Sequence, residues 1–339
     1  MHPGLVEQLL QNNLQETKMH KLFKLLMLAL AASSLHCAAQ TYPSSNITLV
    51  VPFAPGSGTD GVARIMATKM GSILGQPVIV DNKPGASAQI GAQLVASAKP
   101  DGYTLLMTTN TSHSANPWLF QNLKYDPIKD FTPIARVGEL PFVLTVNNDL
   151  PVKTVQELID YAKANPGKLS YGTPNSTSLV TTETIMHLTK TSMTQIPYKS
   201  SPQALTDLIG NQIQVYVADT GSGMGMIKAG KVRAIGLTGN RPYAQLPNVP
   251  PIAKTIPGFD LVSWNGVFGP ANLPKPIVDK INAAIQEAVK DKEVQAKLAQ
   301  LGFVVWPSKN PQDFAQYVSD QMAYWGKLII QSGIKSELN

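Results

Sequence analysis

Cysteine and histidine are scarce in this sequence of 339 residues, which has one cysteine, Cys37, and five histidines. One cysteine cannot form a disulfide within the chain, and it supplies no second thiolate for a metal site. Charged residues make up only 15% of the chain, and the formal net charge is +6. Because no run of basic residues is present, this charge argues against a nucleic-acid-binding protein and suits small anionic partners.

The N-terminal segment has the pattern of a secretory signal peptide. Lys21 and Lys24 precede an unbroken apolar run at residues 25–32, and small residues follow. A positively charged start before a short apolar run is typical of an export signal that begins at Met19, so residues 1–18 are interpreted as a misassigned start. The run is too short to cross a bilayer, and no later segment reaches the roughly 18 apolar residues that a membrane span requires.

Cleavage of the signal is predicted before Gln40, because the −3 and −1 positions then hold small residues. Lipidation of Cys37 is the alternative, although His36 stands where a lipoprotein has a small residue. Cleavage would remove the cysteine and leave only two histidines, His113 and His187. These are few residues from which to build a zinc site or a histidine-dependent catalytic triad. Cleavage would also lower the net charge to +5. We therefore expect a periplasmic protein with neither a metal nor a cofactor.

A strand, a glycine-rich loop and a helix follow one another near the start of the exported chain. The β-branched residues 47–51 predict a buried strand, and the apolar spacing of residues 62–74 predicts an amphipathic helix. The first N–H groups of a helix have no intrahelical partner, the helix dipole adds positive charge there, and glycine lets a ligand approach the backbone. We therefore predict that the loop between them holds a carboxylate.

Two other interpretations of this loop compete. Residues 56–61 fit the G-x-G-x-x-G pattern of a dinucleotide-binding turn, with Asp81 placed where an acid would bind a ribose. Pro52 and Pro55 disfavour such a tight turn, Asp60 would repel a pyrophosphate, and export separates the protein from nicotinamide cofactors. The third interpretation is a glycine turn that only connects strand to helix.

The exported chain is long enough for two α/β lobes. A strand at 78–81 completes a βαβ unit, and a third strand at 103–107 runs into a hydroxyl-rich segment at 108–114. A second strand-to-loop unit follows at 168–178. Since ligands of open α/β sheets bind outside the carboxyl ends of the strands, we expect these polar loops to face a common cleft.

Five segments identify a family resemblance. Residues 51–60, 81–86, 100–106, 196–199 and 204–210 resemble, in the same order, motifs of the Bug family, the periplasmic solute receptors of tripartite tricarboxylate transporters. The resemblance extends over essentially the whole chain after the signal peptide. It implies an α/β periplasmic binding protein of the two-lobed Venus flytrap type, which closes on a carboxylated solute and delivers it to a membrane transporter.

The resemblance also implies a domain arrangement and a ligand site. Each lobe should have a mainly parallel sheet flanked by helices, with residues 40–141 and 265–339 in lobe 1 and residues 142–264 in lobe 2. Two crossover strands, at 141–147 and 263–270, should join the lobes. Backbone N–H groups and ordered waters from one loop of each lobe should hold the ligand carboxylate.

The candidate site combines these two loops with polar and aromatic residues near them. Serines and threonines at helix starts are common N-caps, a lone histidine is at least as often structural, and strand-end aromatics often serve packing alone. The predicted ligand-binding residues are Phe53, Ala54, Gly56, Ser57, Gly58, Thr59, Asp60, Thr109, His113, Thr173, Asn175, Ser176, Thr177, Ser178, Tyr198, Asp219 and Trp264.

We predict a monomeric extracytoplasmic receptor that is not an enzyme, since a nucleophile–base pair and metal ligands are both poorly supplied. Its ligand is expected to be a di- or tricarboxylate, an aromatic acid or an acidic amino acid, and its partners are integral-membrane transporter subunits. Two alternatives remain open: an exported hydrolase of small esters or amides that uses a serine of these loops, and a ligand-sensing partner of a sensor kinase.

Overall fold

The computed structural model describes residues 19–20 and 42–334. The signal peptide, Cys37 and the cleavage site predicted above therefore lie outside the described residues. Contacts divide the chain after residue 44, and all elements below belong to the unit that begins at Ser45. Its strands, numbered in chain order, are β1 (Ile47–Val51), β2 (Val78–Asn82), β3 (Thr104–Thr109), β4 (Phe131–Leu140), β5 (Phe142–Val146), β6 (Ser170–Thr173), β7 (Thr194–Pro197), β8 (Val215–Asp219), β9 (Arg233–Leu237), β10 (Ser263–Pro270) and β11 (Val304–Val305).

Helices flank both sheets, and side-chain caps define where many of them begin. For example, α1 starts behind Ser57 and ends at Gly75, whose φ of 72° is the left-handed conformation that glycine accepts readily. A π-helical turn at Thr111–Ala115 and a 3₁₀ turn at Ile252–Lys254 complete the described helical segments. The helices are α1 (Gly58–Leu74), α2 (Gln89–Ala96), α3 (Asn116–Leu119), α4 (Val155–Ala164), α5 (Ser176–Thr189), α6 (Ser201–Ile209), α7 (Thr220–Lys228), α8 (Lys275–Ala288), α9 (Lys292–Gln300) and α10 (Pro311–Gln331).

The strands form two mixed sheets. One has the order β11-β4-β10-β3-β1-β2, and the other has the order β7-β6-β8-β5-β9. The sequence predicted mainly parallel sheets, but β10 pairs antiparallel with β3 and β4, and β5 pairs antiparallel with β8 and β9. The reason lies in the chain path: β5 and β10 are the strands that arrive from the other sheet, and each enters an interior position in reverse direction. The parallel pairs that carry the candidate loops, β1 with β2 and β3, and β6 with β7 and β8, are retained.

The C-terminal helix α10 contributes to two apolar cores. Phe314 and Val318, in its first half, pack with Trp264 and Phe268 of the six-stranded sheet. Further along the helix, Trp325 and Ile329 join the core beside the five-stranded sheet. One helix therefore connects both sheets, in addition to the crossover strands.

Candidate functional site

The glycine-rich loop leaves β1 and ends at the N-terminus of α1. Ser57 is the N-cap, and its hydroxyl accepts a hydrogen bond from the N–H of Asp60 at 3.3 Å. The N–H of Gly61 donates to the carbonyl of Ser57, which starts the intrahelical hydrogen bonds. The amides of Gly58 and Thr59 precede these bonds, so they remain for water or a bound group.

The second loop, between β6 and α5, repeats this arrangement. Asn175 is the N-cap of α5, and its side-chain oxygen accepts from the N–H of Ser178 at 3.0 Å. The N–H of Leu179 donates to the carbonyl of Asn175. The amides of Ser176 and Thr177 therefore occupy the same positions in α5 that Gly58 and Thr59 occupy in α1.

Asp60 holds the first loop together from within. Its carboxylate accepts hydrogen bonds from the N–H of Gly56, from Arg64 and from the amide of Asn82, at 2.9–3.1 Å. Burial alone would raise the pKa of Asp60, but the hydrogen bonds from Arg64, Gly56 and Asn82 outweigh it and hold the pKa below its usual value. Asn82 also donates to the carbonyl of Phe53. Asp60 thus has a structural role: both of its carboxylate oxygens already accept hydrogen bonds from groups of the protein. We call it the brace of the first loop.

A cavity of about 640 Å³ lies against both loops. Its walls come from both sheets. Residues 52–54, Ser57 and residues 84–89 follow β1 and β2, whereas residues 173–176, Gln195 and residues 197–201 belong to β6 and β7 or directly follow these strands. The predicted site residues on its walls are Phe53, Ala54, Ser57, Thr173, Asn175, Ser176 and Tyr198. The tyrosine hydroxyl donates to Asp207 at 2.7 Å, and burial together with this carboxylate raises the pKa of Tyr198 to about 12.

A narrow cleft of about 20 Å³ adjoins the main cavity and shares Phe53, Ser57, Asn175 and Ser201 with it. That volume is enough for one water molecule. The N-terminus of α7 also reaches this cleft, where Asp219 caps the helix by accepting from the N–H of Ser222 at 2.8 Å. The predicted site residues on its walls are Phe53, Ser57, Gly58, Thr59, Thr109, Asn175, Thr177 and Asp219.

Buried polar side chains connect the two sides of the cleft. The Asn110 amide donates to Thr177 at 3.0 Å, and its oxygen accepts from Ser263 at 2.6 Å. The hydroxyl of Ser176 donates to that of Thr111 at 2.9 Å. These bonds fix the start of α5 relative to the polar segment after β3, as expected from the position of both loops at strand ends.

Five predicted site residues do not line either space. Gly56 is exposed beside Pro202, and Asp60 is the brace described above. His113 is fully buried, stacks on Phe268 at 4.0 Å, and has its pKa lowered to about 3 by burial. Ser178 is buried in the first turn of α5, where its hydroxyl donates to the carbonyl of Asn175. Trp264 is also fully buried and packs edge-on against Phe314, so hydrophobic packing accounts for its place. The residues that the structure places away from the cavity are Gly56, Asp60, His113, Ser178 and Trp264.

The structure adds wall residues that the sequence prediction missed. Residues 84–88 form a loop in which Ala86, Ser87 and Ala88 all have positive φ, and α2 begins directly after it at Gln89. This position could have been predicted from the sequence: β2 is the neighbour of β1 in a βαβ unit, so the loop after β2 lies near the glycine-rich loop after β1. Phe120 and Leu119 also line the cavity, but nothing in the local sequence distinguishes them from core residues.

The electrostatics of the cavity depend on helix ends more than on formal charge. The walls contain the first residues or N-caps of α1, α2, α5 and α6, each carrying the partial positive charge of a helix N-terminus. Lys199 is the one formally charged residue on the wall within the described chain, and it is exposed. The arrangement therefore offers backbone donors and a modest positive potential to an anion.

Within residues 42–334, no cluster of three or more histidine, cysteine or acidic side chains has the geometry of a metal site. Among the helices of the described chain, none has both the length and the apolar character needed to cross a bilayer.

Comparison with known proteins identifies the family. A family model described as "Tripartite tricarboxylate transporter family receptor" matches residues 62–334. The chain belongs to this family. Protein BugT of Bordetella pertussis is 30% identical to the receptor over 314 residues, which cover 91% of this chain and 96% of BugT. The resemblance to Bug proteins predicted from the sequence motifs is thus confirmed.

Solved structures confirm the fold class of the receptor. R. palustris Rpa4515, solved with adipate, superimposes with a TM-score of 0.83 at 32% identity, covering 86% of this chain and 98% of Rpa4515. MatC from Rhodopseudomonas palustris, solved with malate, gives a TM-score of 0.81 at 32% identity and covers 85% and 100% of the two chains. The two-lobed α/β periplasmic binding protein fold is therefore established, with mixed sheets in place of mainly parallel ones.

Proposed function

We propose that the receptor binds a small carboxylate in the cavity between its two sheets and delivers it to the membrane subunits of a tripartite transporter. The observation that carries this proposal is the matched pair of capped helix starts. At both Ser57 and Asn175 a side chain satisfies the third amide of the helix and leaves the first two for a ligand. A carboxylate has two oxygens, each with lone pairs for such donors, so one head group can accept from both helices.

Membership in the receptor family and the relatives solved with adipate and malate support this assignment. The pattern of residues 19–39 supports export through a cleaved signal peptide, followed by action as a monomer in the periplasm. Mass spectrometry of the exported protein should give an N-terminus at Gln40, and light scattering should give the mass of one chain.

The proposed mechanism is a population shift between open and closed forms. We assign residues 45–141 with 265–334 to one lobe and residues 142–264 to the other. The division of strands between the sheets supports this assignment, except that Ser263 and Trp264 belong to β10 of the six-stranded sheet. A ligand that contacts both helix starts favours the closed form because only that form offers both sets of donors. The crossovers between β4 and β5 and between β9 and β10 are the hinges.

We also propose that the receptor performs no catalysis. The hydroxyl of Ser57, the serine best placed to act as a nucleophile, accepts from the N–H of Asp60 rather than contacting a base. Neither His113 nor His187 lines the cavity. Reproducible hydrolysis of small esters, lost in a Ser57→Ala variant, would contradict this part of the proposal.

Two substitutions at one residue test the amide donors directly. Ser176→Pro removes the first amide of α5, and proline is well tolerated at the first helical position. The extended backbone of Asn175, with ψ of 169°, is compatible with a following proline. Ser176→Ala is the matched control, since it keeps the amide and removes only the hydroxyl.

We expect isothermal titration with a carboxylate ligand to show at least tenfold weaker binding for Ser176→Pro than for Ser176→Ala. A ligand that binds both variants equally, with both folded as judged by circular dichroism, would show that this amide does not hold the carboxylate.

A further inference from the structure

The walls of the main cavity expose more apolar than polar surface, although hydroxyls and the amides of Gln89, Asn122 and Gln195 are also among them. Phe53, Leu119, Phe120 and Leu179 contribute aromatic or aliphatic side chains, and four prolines lie among the other wall residues. Tyr198 adds its ring, while its hydroxyl hydrogen is already donated to Asp207. A ligand group in contact with these side chains gains stability by leaving water only if the group is itself apolar.

The size of the cavity sets a second condition. An apolar cavity of about 150 Å³ is enough to bind benzene, and this cavity measures about 640 Å³. A four-carbon acid would therefore leave much of the wall without contact. A ring or a chain of about six to nine carbons would fill more of the space and bury more apolar surface.

The supply of positive charge sets a third condition. Each helix N-terminus is equivalent to roughly half an elementary charge, and Lys199 is exposed. The helix starts at Ser57 and Asn175 together amount to about one elementary charge, and those of α2 and α6 on the same wall add about one more. A compact tricarboxylate would exceed this by bringing three negative charges into the same small volume. Charges that are buried without partners are costly, so such a ligand is disfavoured.

Ligands with an ammonium group also lack a partner in the main cavity. No aspartate or glutamate is among its described wall residues. Asp60 is occupied by Gly56, Arg64 and Asn82, and Asp219, on the narrow cleft, accepts from the N–H and the hydroxyl of Ser222. An acidic amino acid would therefore place its ammonium group in this cavity without a carboxylate to pair with it.

We propose that the ligand is a carboxylic acid with an apolar body, of the size of a phenylalkanoate or a medium-chain alkanoate, rather than a compact hydroxylated polycarboxylate or an amino acid. The proposal rests on the proposed function, because it assumes that the helix starts at Ser57 and Asn175 hold the carboxylate. It adds that the walls select the rest of the molecule.

Isothermal titration of the protein without its signal peptide, with a matched set of compounds, tests carboxylate binding and the preference for an apolar body separately. The set is 3-phenylpropanoate and hexanoate, with apolar bodies; malate, citrate and glutamate, which are compact and polar; and 3-phenylpropanamide, which has the same body without the charge. We expect 3-phenylpropanoate or hexanoate to bind at least tenfold more tightly than malate, citrate and glutamate, and the amide to bind at least tenfold more weakly than its acid.

The possible failures are distinguishable. If malate, citrate or glutamate binds as tightly as the two apolar-bodied acids, the proposed ligand class is wrong while carboxylate binding stands. If the amide binds as tightly as 3-phenylpropanoate, or if no acid binds, the proposed function itself fails, and the ligand class fails with it.

A wall substitution provides a second readout. Phe120→Ala removes an apolar wall group that is only partly buried, and we expect it to weaken 3-phenylpropanoate about tenfold. Trp306→Ala is the matched control, because Trp306 is 44% exposed and lies outside the cavity; its affinity should stay within twofold of the parent. Equal affinity of Phe120→Ala and Trp306→Ala would overturn the role of the apolar walls. Phe120→Leu, which keeps an apolar side chain, should retain most of the affinity if the fold is intact.

Discussion

The helix starts of α1 and α7 meet at two glycines, Gly58 and Gly221. A Cβ atom at Gly221 would lie 2.3 Å from the Cα of Gly58 and 3.3 Å from the carboxylate of Asp219. Carbon atoms in ordinary contact are about 3.5 Å apart or more. The substitution Gly221→Ala would therefore force the two helix starts apart by about 1 Å. Because Gly58 contributes backbone rather than a flexible side chain, rotation of a side chain cannot relieve the overlap.

The magnitude follows from the cost of overpacking. An extra methyl group in a packed contact typically costs about 1–3 kcal/mol. If the contact between Gly58 and Gly221 exists only in the closed form, this cost falls on the ligand-bound state, and the dissociation constant rises about 5- to 150-fold. In the proposed mechanism the open, ligand-free form lacks this contact, so the unfolding free energy without ligand should change by less than the binding free energy.

Gly225 provides the matched control for this prediction. It lies one turn further along α7, and a Cβ atom there would meet nothing within 4 Å. Gly225→Ala should leave the affinity unchanged and raise helix stability slightly. For both variants, titration calorimetry measures the affinity for the ligand, and urea unfolding without ligand measures the unfolding free energy. Parental affinity of Gly221→Ala would refute the reasoning, as would a loss of unfolding free energy without ligand that equals the loss on binding.

Three further predictions concern single residues of the site and its support. Asn110→Ala removes the buried amide that accepts from Ser263 and donates to Thr177, so we expect the unfolding free energy to fall by about 1–3 kcal/mol in urea titrations; a change below about 0.5 kcal/mol would contradict it. Ser57→Ala removes the cap of α1, so thermal and urea unfolding should show a loss of about 1 kcal/mol, and parental stability would show that the cap is dispensable. Because burial lowers the pKa of His113 to about 3, the unfolded chain binds this proton first as the pH falls, so stability present above about pH 6.5 is lost toward pH 3. Between pH 7 and pH 5 this residue should account for a loss of about 2 kcal/mol, which His113→Gln should abolish; an unchanged pH dependence in the variant would contradict the assignment.

Local sequence signals predicted much of the structure around the first loop. Strand β1, the glycine loop and α1 follow from a β-branched run, closely spaced glycines and a helical apolar period, all within about 30 residues. The spacing of Thr154 and Glu157 is a local signal of the same kind, because it is typical of a capping box at a helix start. The threonine hydroxyl accepts from the N–H of Glu157, although the glutamate carboxylate accepts from the N–H of Lys153 instead of that of Thr154.

Features that depend on tertiary contacts could not be predicted in this way. The antiparallel entry of β5 and β10 follows from the chain path between the sheets, and no local pattern encodes it. The close approach of Gly58 and Gly221 joins residues far apart in the chain. His113 and Trp264 were predicted to contact the ligand, but the structure buries both in an aromatic core. Such burial depends on neighbours that a single sequence does not reveal.

A crystal structure of the receptor with a bound carboxylate tests the central claim most directly. The account predicts that the carboxylate oxygens lie within hydrogen-bonding distance, about 2.7–3.2 Å, of first-turn amides of both α1 and α5, or of one water molecule that joins them. A solute found elsewhere, or held in this cavity with its carboxylate away from the amides of Gly58, Thr59, Ser176 and Thr177, would contradict it.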